Sequence, residues 1–86
     1  MGEVLVTYKI MPKDVEINLD EIINEINKKI KVEKVEKKPI AFGLVALMIS
    51  TVVKDTAKAT DEIEKLLTNI EGVGSVEVVE VTRLLR

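Results

Sequence analysis

The side chains able to do chemistry in this chain fall into three groups. Asp14, Glu16, Asp20 and Glu21 crowd one short stretch. Paired carboxylates can move protons or hold a hard cation. The chain has no His and no Cys, so no partner nucleophile stands beside them, and acidic residues gather at helix starts because that end of the dipole favours them. The cluster reads as a helix start. The second group is six lysines between Lys28 and Lys38, interrupted by Glu33 and Glu36. Such a run could follow a phosphate backbone, but single strands are held largely by aromatic stacking, and Tyr8 and Phe42 are the only aromatic residues. The lysines read as a solvated edge. The third group is a pair of arginines, Arg83 and Arg86, both at the end of a chain that otherwise carries eleven lysines. The guanidinium fork suits phosphate and carboxylate better than an ammonium does.

Two further motifs carry less. Gly72-Val73-Gly74-Ser75 has the composition of a phosphate loop, but it follows a helical stretch and precedes an extended one, the reverse of the required order. Met11-Pro12-Lys13-Asp14-Val15 holds no Gly and no Arg, so it makes no anion cradle of the kind a phosphatase needs.

Composition narrows the field. Without Cys and His, structural zinc, iron–sulfur and copper sites, disulfide frameworks and Ser-His-Asp or Cys-His catalysis are excluded. No metal and no cofactor is expected. A formal net charge of −2 argues against a general affinity for nucleic acid. The opening Met1-Gly2-Glu3-Val4 lacks the basic start of a signal peptide, and the apolar stretch from Ile40 to Val53 is too short for a bilayer. The expected location is the cytoplasm.

The elements that must position these residues follow from periodicity. Glu3 to Met11 alternates Val4, Val6, Tyr8 and Ile10 against Leu5, Thr7 and Lys9, the pattern of a strand. Asn18 is expected to cap a helix whose buried stripe is Leu19, Ile22, Ile23, Ile26 and Ile30. Val32 to Lys38 reads as a charged edge strand ended by Pro39. Pro39 to Leu47 is the longest uninterrupted apolar run, and a central strand is expected from about Phe42 to Lys54. A second helix should begin at Thr60-Asp61-Glu62, bury Ile63, Leu66, Leu67 and Ile70, and take Gly72 as its cap. Val76, Val78, Val79 and Val81 form the last strand. Right-handed crossovers then give an α+β fold of order βαββαβ, with an antiparallel sheet in order 4-1-3-2 and both helices on one face. Val6, Ile22, Ile26, Ile30, Leu47, Ile63, Leu66 and Leu67 are expected in its core. On these grounds alone the chain is a partner-binding module, a ligand-sensing or assembly domain, or an RNA-binding module using its Lys-rich edge.

Pro39-Ile40-Ala41-Phe42-Gly43-Leu44-Val45-Ala46-Leu47, the turn Ile70-Glu71-Gly72-Val73, and the ending from Val76-Glu77-Val78 to Arg83-Leu84 together resemble archaeal translation elongation factor 1-beta, a family of guanine-nucleotide exchange factors acting on elongation factor 1-alpha. The resemblance implies one ferredoxin-like exchange domain over residues 1–86. It implies no enzyme activity of its own, no cofactor, no membrane and no direct nucleic-acid contact. The partner would be elongation factor 1-alpha, with GDP or GTP bound to that partner. The family's Phe-Gly at the start of strand three matches Phe42 and Gly43. Its functional basic residue near the end matches Arg83, where relatives carry Lys, and Leu84 and Arg86 lie beside it. In the family the basic end disturbs the magnesium and phosphate site of the GTPase, while the Phe end meets a neighbouring domain. Strands three and four should run parallel, setting these positions at opposite ends of a sheet that spans roughly 23 Å for a seven-residue strand.

Overall fold

A computed structural model describes residues 2–83. The order is β1 (Glu3–Pro12), α1 (Leu19–Lys29), β2 (Lys34–Pro39), β3 (Val45–Lys54), α2 (Ala57–Thr68) and β4 (Val73–Arg83). The strands lie in the order β2-β3-β1-β4, with every neighbouring pair antiparallel. This is the ferredoxin-like sandwich. No described helix is long and apolar enough to cross a membrane.

The alternation of β1 builds the core. Val4, Val6, Tyr8 and Ile10 are buried, and opposite them on β3 stand Val53, Thr51, Ile49 and Leu47. Directly paired residues share a face, so these two central strands present one continuous apolar surface. Ile22 and Ile26 of α1 and Leu67 of α2 cover it, with Ile70 and Val73 closing one end. Five of the expected core residues, Val6, Ile22, Ile26, Leu47 and Leu67, are fully buried, while Ile30, Ile63 and Leu66 pack partly buried around them. The two polar residues in the interior are both satisfied. Thr51 donates to the Lys31 carbonyl at 2.7 Å, and the Thr7 and Ser50 hydroxyls share a hydrogen bond of 2.9 Å.

Several boundaries differ from the sequence expectation. The Asn18 side chain accepts from the Asp20 N–H at 2.9 Å and caps α1 as expected. Helix α2 starts earlier, at Ala57, because Thr56 caps it by accepting from the Ala59 N–H at 3.1 Å. Its first turn therefore carries no acidic residue. It ends at Asn69, and Gly72 instead turns the chain into β4 with φ of 94°. There the Val73 N–H returns to the Ile70 carbonyl at 3.2 Å, and a Cβ on Gly72 would meet Ile17 Cγ2 at 3.0 Å. Both the left-handed backbone and the lack of space call for glycine. Strand β2 begins at Lys34 and includes Pro39, an allowed place on an edge with no ladder bond to donate.

Strand β4 is also irregular. Thr7 pairs with Glu80 but Tyr8 pairs with Val78, so Val79 is an extra residue in a bulge. Val79 thereby drops out of the alternation that Val81 and Arg83 keep. Val78 and Val81 both lie opposite core-facing residues of β1, and Arg83 pairs with Val4 on that same helix-covered face. A second shift leaves Gly74 unpaired beside Pro12, whose carbonyl oxygen would lie 3.0 Å from a Cβ at that position.

Truncating Leu67 to Ala should cost about 2–5 kcal/mol, the range for a fully buried leucine, and Leu66→Ala should cost less because that side chain is partly solvated. Urea unfolding of the two variants checks the order.

The core's single ring makes a second expectation. Tyr8 is 0% exposed and its hydroxyl donates to the Thr60 carbonyl at 3.2 Å. Burial pushes the phenol up to about 12, with the Glu64 and Asp61 carboxylates adding to the effect. The folded state thus holds this proton more tightly than the unfolded chain, where a tyrosine titrates near pH ~10. The contribution is complete below pH ~10 and is lost as pH climbs towards about 12. Tyr8→Phe should cost about 0.5–1.5 kcal/mol near neutrality through the lost hydrogen bond. That deficit should shrink in unfolding curves recorded above pH ~10.

Candidate partner-binding site

The apolar run predicted as the start of strand three is a hairpin tip. Strand β3 begins only at Val45, and Phe42 sits before it in the turn Ala41–Leu44. The Leu44 N–H closes that turn on the Ala41 carbonyl at 2.9 Å, and the Ile40 N–H bonds the Leu44 carbonyl at 2.9 Å. Phe42 and Gly43 occupy the central positions with φ of 55° and 80°. Positive φ at both is what a type I′ hairpin turn requires, and such turns favour Asn-Gly. Gly43 fits. Phe42 is the only described non-glycine residue with positive φ. A bulky side chain in that region costs on the order of 1–2 kcal/mol. The ring gains nothing from the fold in return, because it is 96% exposed. A strained backbone and a fully solvated aromatic at one residue point to a role outside the fold.

The tip has company. Ile40 is 44% exposed, and Val15 in the β1–α1 loop is 59% exposed. A Cβ on Gly43 would lie 3.7 Å from Val15 Cγ1, ordinary contact distance, so loop and tip adjoin. Composition hid this. Val15 is an apolar residue between Asp14 and Glu16 in a polar loop, and that isolation was the one available signal. The carboxylates beside it serve local structure: Asp14 Oδ1 accepts from the Glu16 N–H at 2.8 Å, and Asp20 pairs with Lys37 at 3.0 Å. Among the described residues no group of three acidic side chains is placed to hold a metal ion.

Arg83 lies at the far end. It closes β4 opposite Val4, and one of its terminal nitrogens is 3.9 Å from Asp55 Oδ2 in the connection from β3 to α2. The two side chains are 81% and 41% exposed. An ion pair this open contributes little to stability, so the guanidinium is available to a partner. Leu84 and Arg86, expected beside it, lie outside the described residues. Phe42 and Arg83 are thus not one site but two. A ten-residue strand such as β3 runs about 30 Å at ~3.3 Å per residue, longer than the seven-residue expectation, and the molecule measures 41 × 21 × 18 Å. Tyr8 is enclosed in the core and the exposed Phe42 stands at the hairpin tip, so neither ring lies on the sheet surface among the lysines of the edge.

Residues 5–84 match the family described as the EF-1 guanine nucleotide exchange domain. The chain belongs to that exchange-domain family. Elongation factor 1-beta of Methanothermobacter thermautotrophicus is 40% identical over 89 residues, covering 99% of this chain and 100% of that relative. The protein of the same name from Methanoculleus marisnigri is 43% identical over 95% of this chain and 98% of its own length. That from Saccharolobus solfataricus is 40% identical over 98% of each. The exchange-domain match runs through both Phe42 and Arg83.

The geometry of the tip makes one expectation independent of any partner. Phe42→Asn creates the preferred Asn-Gly turn, relieves the left-handed phenylalanine and removes a ring that packs against nothing. It should raise stability by about 1 kcal/mol in chemical denaturation.

Proposed function

We propose that this protein promotes exchange of GDP for GTP on elongation factor 1-alpha, binding the GTPase at both ends of its sheet and performing no covalent chemistry itself. The observation that carries the reading is the exchange-domain match over residues 5–84. The exposed Phe42 at one end and the loosely held Arg83 at the other support it. Residues 1–86 then act as one exchange domain in the cytoplasm, where translation takes place.

The division of labour follows from the chemistry of each end. Phe42 and Gly43 supply a rigid apolar anchor, fixed in place by a two-residue turn. Arg83, with Leu84 and Arg86 following it, supplies positive charge to the nucleotide site. A guanidinium is charged at every accessible pH and matches phosphate oxygens or the carboxylates that hold magnesium in the partner. Its insertion there competes with the metal for the same anions. Exchange is then linkage: a factor that prefers the nucleotide-free GTPase weakens nucleotide binding by the same coupling free energy, about 1.4 kcal/mol for each tenfold. The separation of the two ends lets the anchor hold while the basic end works on a different part of the partner.

An RNA-binding reading is less well supported, since the Lys-rich edge lacks aromatic neighbours on the sheet surface. Release of labelled GDP from elongation factor 1-alpha tests the proposal. The wild-type chain should accelerate release, Arg83→Ala should slow it by more than Arg86→Ala does, and Arg83→Lys should keep part of the activity. Folding of the Arg83 variants should be unchanged, given the exposure of that side chain. Equal rates for wild type and Arg83→Ala would remove Arg83 from the mechanism, and no acceleration by the wild type would remove the function.

A further inference from the structure

We infer that Asp55 is a positioning residue for exchange: its carboxylate holds the Arg83 guanidinium beside the start of α2 in the free protein, so that the cation reaches the GTPase already oriented. The inference rests on the exchange-factor reading above and names the residue that sets the basic end.

Three observations carry it. The first is the phase of β4. An unbroken ladder continued from the Tyr8–Val78 pair would bring Thr82 opposite Val4 and Arg83 opposite Glu3, on the face of the sheet that carries no helix. The bulge at Val79 takes up one residue, and Arg83 falls opposite Val4 on the helix-covered face instead. Bulges beside functional sites re-aim side chains in this way. The second is the anchoring of Asp55. Its N–H bonds the Gly2 carbonyl at 3.0 Å, and the Thr56 N–H after it bonds the Lys54 carbonyl at 2.7 Å. Thr56 also caps α2 through the Ala59 N–H. A short side chain on so constrained a backbone presents its carboxylate in a narrow range of places, and Oδ2 lies 3.9 Å from a terminal nitrogen of Arg83.

The third is the surrounding charge. The first turn of α2 carries no acidic residue, and Lys58 stands in it. The positive end of the helix dipole adds to that field. Glu3, the acidic neighbour of Val4, stands opposite Lys54 on the other face of the sheet. Asp55 therefore supplies the negative charge that keeps the guanidinium on this side, against a helix start that repels it.

The strength of the pair suits this task. At 3.9 Å it is longer than a direct hydrogen bond, and the two side chains are 41% and 81% exposed. Such a pair adds little to folding and is readily exchanged for the anions of a partner. It still narrows the rotamers of a long side chain, and a side chain ordered beforehand loses less freedom on docking. The expected effect is modest, about threefold, within the range of an exposed ion pair.

Two measurements test the assignment. In the isolated protein, nitrogen relaxation of the Arg83 side chain should show more restricted motion in the wild type than in Asp55→Asn, with Asp55→Glu restoring part of the restriction. In release of labelled GDP from elongation factor 1-alpha, Asp55→Asn should slow catalysed release about threefold and Asp55→Glu should keep most of the rate. In an Arg83→Ala background, Asp55→Asn should have no further effect on affinity for the nucleotide-free GTPase, because Asp55 acts through Arg83. Equal Arg83 motion in the wild type and Asp55→Asn would overturn the inference. So would release by Asp55→Asn as fast as or faster than wild type, which would make Asp55 a bystander or a competitor for the cation. A loss that persists undiminished in the Arg83→Ala background would overturn it too, by making Asp55 a structural or direct contact. Acceleration by the wild-type chain would leave the exchange reading standing in each of these cases.

Discussion

Everything in this molecule depends on the antiparallel pairing of β1 with both of its neighbours. Strand β1 is hydrogen-bonded to β3 on one side and to β4 on the other, so β3 and β4 must run in the same direction. The chain enters β3 from the hairpin tip and leaves β4 at the opposite end. No side-chain chemistry decides the separation of Phe42 from Arg83; strand polarity does. The crossover through α2 then returns the chain to the tip end before β4 begins, and the burial of Leu67, Ile70 and Val73 against β1 makes that path the stable one.

Local regularity and local exception are divided by location. The two central strands obey the local rules, with alternating faces, branched residues and each interior hydroxyl bonded. Apart from the bulge at Val79 on β4, the departures described above lie at the ends. Phe42 adopts a backbone that glycine or asparagine would adopt more easily, and Arg83 is left with a distant, solvated partner. Natural sequences break local preferences mainly where function asks for it. Here both breaches fall at positions whose side chains are exposed to solvent.

Much of this was legible in the residues. The two-residue period of Val4, Val6, Tyr8 and Ile10 named the buried face of β1, and Asn18 named the start of α1. Both signals are local and strong. The start of α2 was not legible, because Thr60-Asp61-Glu62 imitates a helix start more convincingly than Thr56-Ala57-Lys58, although Thr56 makes the capping bond. The bulge at Val79 was invisible, since four valines within six positions alternate equally well in either register. The positive φ of Phe42 could not be read either. Turn chemistry predicts such a backbone from Asn or Gly, never from Phe. The nearness of Val15 to Gly43 is a tertiary fact with no trace in local pattern.

The enclosed Tyr8 has an optical consequence. It is the sole tyrosine of a chain without tryptophan, and it is held against the Thr60 carbonyl in a fixed, asymmetric setting. Near-ultraviolet dichroism and intrinsic emission of the protein therefore come almost wholly from one ring at the centre of the core, since the lone phenylalanine absorbs weakly and is exposed to solvent. That ring reports whether the sandwich is assembled. It sits apart from both tips, so a change confined to either end would leave the same signal silent.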